Sequence, residues 1–188
     1  VLLKLLARRG AELPHLARAA VISGPAARVC LRMPRWQLWA GRLCAQVMPT
    51  LRFAGSVRPD LLTSDPLVAA AYEPDPLVHR WTSARLGMEI LDNGPQVLSS
   101  VSRISLPCLL IHGAEDAITD PAGSQEVAAR LAGPHALRIY ASMRHEPHNE
   151  RQRELVFRDV EQWAEQYVLS NNPQPAAASE PLRLKAQP

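Results

Sequence analysis

Residues Leu109–Pro121 read LLIHGAEDAITDP, and residues Ile139–Glu150 read IYASMRHEPHNE. The first stretch places Asp116 just after a short apolar run. The second places His145 just after another. Short apolar runs closed by turn residues are the pattern of strands buried on both faces. Leu106–Gly113 therefore reads as one buried strand. HALRIYA (His135–Ala141) reads as a further strand, with Leu137, Ile139 and Ala141 on one face. Between them, DPAGSQEVAARLAG predicts a helix with Pro121 near its start and Gly133 at its end.

Working outward, AVIS before Gly24-Pro25 is again short, apolar and β-branched, so Ala19–Ser23 reads as a second buried strand. Ahead of it, VLLKLLARRG has Val1, Leu2, Leu5 and Leu6 at helical spacing, with Arg8 and Arg9 suited to a C-terminal turn and Gly10 to a stop. No cap residue precedes this helix, so the chain is expected to open inside it. At the other end, Leu155, Val156, Val160, Trp163 and Tyr167 form one stripe of a long amphipathic helix. The tail from Leu169 is rich in Pro, Ala and polar residues and is expected to be disordered.

From Ala26 to Ser102 the pattern is different. Trp36, Trp39 and Leu43 share a helical face between Pro34 and Pro49. Closely spaced prolines restrict SDPLVAAAYEPDPLVHRW to short helices and turns. TSARLGMEILDNG predicts a helix capped by Thr82 or Ser83 and closed at Asn93-Gly94, with one more helix in PQVLSSVSRI. No strand is expected in this insertion. The order strand, helical insertion, strand, helix, strand, helix implies an α/β fold with a mostly parallel sheet. Four segments follow: core at 1–25, helical cap at 26–102, core at 103–168 and tail at 169–188.

Ligands of parallel α/β sheets bind at the carboxyl ends of the strands. Asp116 and His145 each lie just past such an end. A carboxylate there fixes an imidazole tautomer, and the imidazole moves a proton to and from a hydroxyl nucleophile. Singly, Asp116 also reads as a turn or helix-capping residue, and His145 as a surface loop residue like His148. Together, at matching places in the α/β order, they point to catalysis.

Composition narrows the classes. The 188 residues are 47% hydrophobic, enough for one packed domain. Net charge is +3 with no basic block, which argues against nucleic-acid binding. Cys30, Cys44 and Cys108 have no metal spacing, and Cys108 in its apolar run reads as a buried thiol suited to a reducing compartment. No run approaches the roughly 20 apolar residues that span a bilayer. No cofactor is implied, and His79 has no second ligand at suitable spacing for a metal.

From Ala19 to Val168 the chain resembles α/β-hydrolases of the monoacylglycerol lipase and lysophospholipase group, also described as having a serine aminopeptidase-like domain. AAVISGPA, DPLVH (Asp75–His79), LPCLLIHGAEDAITDPAGS, LRIYASMRHEPHNE and VFRDVEQW carry the resemblance. It implies Asp116 as triad acid and His145 as base, in the chain order nucleophile, acid, histidine. It also implies a serine in G-x-S-x-G and an upstream HG oxyanion loop, and the sequence contains neither. Ser23, Ser56, Ser83 and Ser124 all lack the flanking glycines. In the group, the nucleophile starts the helix preceding AAVISGP, so the serine is expected just upstream of Val1. The 188 residues alone are expected to be inactive. Pro147 stands where the group has an apolar residue and is expected to stiffen the His145 loop. Glu146 and Glu150 read as loop and helix N-terminal stabilisers.

The resemblance implies a serine esterase acting on monoacylglycerol or lysolipid-like esters beneath the cap. Trp36, Trp39 and Leu43 then line an acyl tunnel, meet a membrane surface with Arg32, Arg35 and Arg42 near head groups, or simply pack the cap on the core. The expected location is cytoplasmic with membrane association through the cap. In DPLVH, Pro76 sets a structural turn with Leu77 and Val78 filling a gap beneath it. The competing function is a non-catalytic hydrolase-fold protein that binds a small apolar ligand or a partner. The residues before Val1 discriminate the two.

Overall fold

The computed structural model describes residues 2–9, 15, 17–30, 33–55 and 57–169. Val1, Gly10, Arg32, Ser56 and the tail expected to be disordered lie outside them, apart from Leu169. The sheet is built from β1 (Ala20–Ser23), β4 (Cys108–Gly113) and β5 (His135–Tyr140), in the order β1-β4-β5 and parallel throughout. In the middle strand, CLLIHG, all six residues are buried. Its side chains alternate between two cores, as the strand period of two requires. Cys108 and Leu110 join Leu3, Leu6, Ile104 and Val127 on one face, while Leu109 and Ile111 join Tyr140, Met143, Val156 and Trp163 on the other.

Helices α1 (Leu2–Arg8) and α6 (Pro121–Arg130) cover the first face, and α7 (Arg153–Ala164) covers the second. Burying a side chain such as Leu110 or Ile104 contributes about 1.5–3 kcal/mol, so both faces are held by many such terms. Burial also pushes the Cys108 thiol up to about 11, which makes it a core hydrophobe and a poor nucleophile. Register pairs Ser23 with Ile111 and Gly113 with Tyr140. All three carboxyl ends therefore open on one edge.

Between β1 and β4 the chain forms α2 (Arg35–Val47), β2 (Arg52–Ala54), α3 (Pro59–Leu62), α4 (Pro66–Tyr72), β3 (Trp81–Ser83) and α5 (Ala84–Ser100). Two expectations fail here. The segment contains strands: β2 and β3 pair antiparallel, Phe53 opposite Thr82. Phe, Trp and Thr favour a pleated surface, but the partners are far apart in sequence and lack the turn signal of a hairpin. Nor does the helix stop at Asn93-Gly94. α5 runs on to Ser100 through Pro95, and Gly94 serves a close approach instead. A Cβ there would lie 2.4 Å from the carbonyl oxygen of Ala27.

Local chemistry explains the rest. Ser83 caps α5 by accepting from Leu86 N at 3.2 Å, and Asp65 caps α4 by accepting from Leu67 N. Asp75 closes the DPLVH turn, accepting from Leu77 N at 2.8 Å. Leu77 does not fill a gap beneath it: with Asp75 holding the turn at the surface, its side chain is 89% exposed. Trp36 and Trp39 do not pack the cap on the core either. Both are 68% exposed, and α2 buries none of its residues. Arg42 bonds Asp92 of α5 at 3.0 Å. Among the described residues, no helix is long and apolar enough to cross a membrane.

Candidate functional site

The loop leaving β4 is held to the loop leaving β5 by backbone bonds, from Ala114 N to Tyr140 O and from Glu115 N to Met143 O. Gly113 permits this approach, since a Cβ there would lie 2.1 Å from the carbonyl oxygen of Arg144. Asp116 follows, with its side chain fully buried. Its Oδ1 accepts from Ile118 N at 2.8 Å and Thr119 N at 2.9 Å. Its Oδ2 accepts from the Thr119 hydroxyl at 2.7 Å and faces Nδ1 of His145 at 2.8 Å and Nε2 of His112 at 3.0 Å. Burial alone would raise this carboxyl. Hydrogen bonds from His112, His145 and Thr119 outweigh that effect and hold it far below the usual carboxylate range. The turn and cap readings divide: Asp116 does organise its own loop, whereas Asp120 caps α6 by accepting from Ala122 N.

His145 presents Nδ1 to a carboxylate, so that nitrogen donates and Nε2 is left with its lone pair. Among the described residues nothing hydrogen-bonds Nε2, and the side chain is 26% exposed. The ring lies against the end of β1. Gly24 has φ +49, and a Cβ there would meet the ring at 3.1 Å. His148 is exposed.

The His145 loop is fastened from the insertion. Glu150, fully buried, accepts from Arg144 N at 2.8 Å, from Ser64 N at 3.0 and 3.1 Å, and from the Ser64 hydroxyl. Glu146 N donates to Leu62 O at 2.8 Å, and the Thr63 hydroxyl donates to Asn149 O at 2.8 Å. The Glu150 side chain is thus a loop stabiliser, while at the α7 N-terminus, where Gln152 is the cap residue, only its backbone carbonyl takes part, accepting from Arg153 N at 3.1 Å. Pro147, itself buried, starts a 3-10 turn, Pro147–Asn149.

Sequence reasoning missed His112, Thr119 and Ser64. His112 had a signal, an imidazole inside an otherwise apolar buried run four residues before the acid. Ser64 had none, because its partner lies 86 residues away.

Two apolar grooves adjoin. One of about 880 Å³ lies between α2, α5 and the β2–β3 ribbon, lined by Trp36, Leu51, Phe53, Met88, Ile90 and Leu91 among others. A second of about 620 Å³ also contains Ile90 and runs to Ser23 and Gly24 beside His145. Among the described residues, no His, Cys, Asp or Glu side chains gather as a metal-ligand group.

Residues 3–152 match the family described as serine aminopeptidase, S33. The chain belongs to this family. It is an α/β-hydrolase-superfamily member with a mostly parallel, partial sheet. The chain is 28% identical over 156 residues to a monoacylglycerol lipase of Mycolicibacterium smegmatis, covering 82% of the chain and 55% of that protein. It is also similar to the crystal structure of Paleococcus ferrophilus monoacylglycerol lipase, with a TM-score of 0.78 and 26% identity over 86% of this chain and 62% of that one. A soluble variant of Saccharomyces cerevisiae monoglyceride lipase, solved with a substrate analog, shares the fold at TM-score 0.70 and 22% identity, over 86% and 60%. The chain thus spans about 55–62% of the lengths of these lipases.

Proposed function

We propose that this chain is the acid–base part of a serine carboxylic-ester hydrolase acting on monoacylglycerol or lysolipid-like esters. Residues 1–25 and 103–168 serve as core and 26–102 as cap. The observation that carries the reading is the Asp116–His145 pair, 2.8 Å apart, with the imidazole's second nitrogen unengaged among the described residues. The nucleophile is a serine supplied by sequence upstream of Val1. His145 Nε2 takes its proton as the serine oxygen attacks the ester carbonyl. The imidazolium then protonates the departing alcohol oxygen, and water repeats the cycle to release the fatty acid. Asp116 stays ionised and stabilises the imidazolium. The two grooves, which share Ile90 in their linings, offer apolar surface for an acyl chain, and one of them reaches Gly24 beside His145.

The product of the full reading frame, treated with a fluorophosphonate probe, is expected to label at one serine in G-x-S-x-G and to lose that label when the serine is changed. Absence of any labelled serine, or monoacylglycerol cleavage that survives His145→Ala, would falsify the triad and leave a ligand-binding hydrolase fold.

The exposed Trp36 and Trp39, beside Leu43 at 46% exposure, support peripheral membrane contact through α2. In sedimentation with phosphatidylcholine vesicles, Trp36→Ala combined with Trp39→Ala should lower the bound fraction roughly tenfold, each indole anchoring at the interface. Equal sedimentation of both proteins would remove the membrane role.

A further inference from the structure

The buried imidazole of His112 has no part in the chemistry above. It sits in β4, fully buried, where every other side chain is apolar or absent. Both of its nitrogens are engaged. Nε2 lies 3.0 Å from Asp116 Oδ2, 3.1 Å from the Thr119 carbonyl oxygen and 3.3 Å from the Thr119 hydroxyl. A carboxylate and a carbonyl only accept, so Nε2 carries the proton. The Thr119 hydroxyl does not supply one to it, because its single proton goes to Asp116 Oδ2 at 2.7 Å. Nδ1 lies 2.6 Å from the hydroxyl of Ser124, itself fully buried on α6. With Nε2 protonated, the Ser124 hydroxyl donates to Nδ1. The acceptors at Nε2 thus set the tautomer of His112, and Ser124 satisfies Nδ1 and holds the ring in place.

We propose that His112 is a positioning residue: its Nε2–H, oriented by Ser124, aims the Asp116 carboxylate at His145, so that Ser124, His112, Asp116 and His145 form one hydrogen-bonded row. The proposal rests on the triad reading above. The chemical reason is that Oδ2 is shared. Held from the core side by His112 and from its own loop by Thr119, it has one remaining approach, and His145 Nδ1 takes it. Without the His112 donor, Oδ2 is held on that side by the Thr119 hydroxyl alone, and the carboxylate is less firmly aimed at the histidine. Burial favours this arrangement, since an imidazole in a dry core is tolerated only when both nitrogens are satisfied.

The test uses the product of the full reading frame and three variants. His112→Gln keeps an amide N–H near the Nε2 position. His112→Met fills the space with no donor. Ser124→Ala keeps the His112 side chain but removes the hydroxyl that orients its ring through Nδ1. Steady-state hydrolysis of a monoacylglycerol should show kcat lower by about 10–100-fold for Met, the usual scale for losing the partner that orients a functional group. KM should stay within about twofold, and Gln should recover kcat to within about threefold of wild type. Ser124→Ala should lower kcat by about three- to tenfold. In the substrate-free protein, the His145 Nδ1–H proton should be seen by NMR in wild type and Gln, and lost to water exchange in Met.

Equal loss in Gln and Met with unchanged thermal transitions would overturn the proposal, since shape alone would then matter. So would a folded Met variant with wild-type kcat and a retained His145 proton. If His112→Met fails to fold, Ser124→Ala decides, and wild-type kcat in that variant overturns the proposal. A wild-type protein that hydrolyses no ester removes the triad reading instead, and the NMR comparison still decides whether His112 aligns the pair.

Discussion

Asp116→Asn, in the product of the full reading frame, is expected to lower kcat by about 10³–10⁴-fold, the scale set by losing the acid of a Ser-His-Asp triad. KM should change little, because in the proposed triad Asp116 acts through His145. Both carboxylate oxygens accept: two backbone N–H groups on Oδ1, and a hydroxyl and two imidazoles on Oδ2. An asparagine amide must turn its NH₂ toward one of these sets. Facing His145, it offers a donor where Nδ1–H needs an acceptor. The imidazole then moves its proton to Nε2, the nitrogen that accepts from the serine in the proposed triad. Facing Ile118 and Thr119, it breaks the turn that carries the residue. A folded Asp116→Asn protein retaining kcat within tenfold of wild type would sink the assignment of Asp116 as acid.

The same substitution has a signature in stability against pH. An unfolded aspartate titrates near 3.9, while the folded Asp116 is held far lower by its donors. The folded state therefore favours the carboxylate. Its stabilisation is complete above about pH 5, declines as pH falls below about 4, and is gone once the folded group itself protonates. Thermal unfolding of wild type and Asp116→Asn should differ most at neutral pH, and the gap should narrow on acidification. A gap that is constant or widens below pH 4 contradicts the hydrogen-bond inventory of this carboxylate.

The parts of this site legible in the sequence are those written locally. Leu106–Gly113 announces a buried strand and His135–Ala141 a further strand, so the placement of Asp116 and His145 at neighbouring strand ends follows from periodicity and the parallel order. Features that depend on distant partners are not legible. Phe53 pairs with Thr82 across an intervening pair of helices, and no short-range signal links them. Asn93-Gly94 carries a helix-stop signal, yet tertiary packing overrides it, because the missing Cβ is needed where α5 crosses Ala27. The exposed Trp36 and Trp39 had the spacing of a packed face. Periodicity reports which residues share a face, and what that face meets is fixed elsewhere. Glu150 reads as one acidic residue among several in its loop, and only the fold shows it without solvent.

Glu150→Gln is expected to destabilise the protein by about 2–4 kcal/mol, the scale for opposing donors at a buried, charge-accepting site. For a protein of this size that is roughly 5–15 °C in Tm. The side chain receives Arg144 N on one oxygen, the Ser64 hydroxyl on the other, and Ser64 N between them. In either orientation, a glutamine NH₂ confronts a backbone N–H that has no other described acceptor nearby to turn to. Ser64→Ala is the milder control, expected to cost about 1 kcal/mol, since the carboxylate keeps both backbone donors. The double variant should cost less than the sum, because both changes act on one network. Catalysis should respond as well. Arg144 immediately precedes His145, and its guanidinium also bonds Thr63 O at 3.1 Å, so the insertion and the histidine loop move together when this joint loosens. Kinetics of Glu150→Gln below its melting temperature should show reduced kcat, with Ser64→Ala intermediate. A variant with full stability and a wild-type rate would mean that Glu150 neither fastens the insertion nor supports His145.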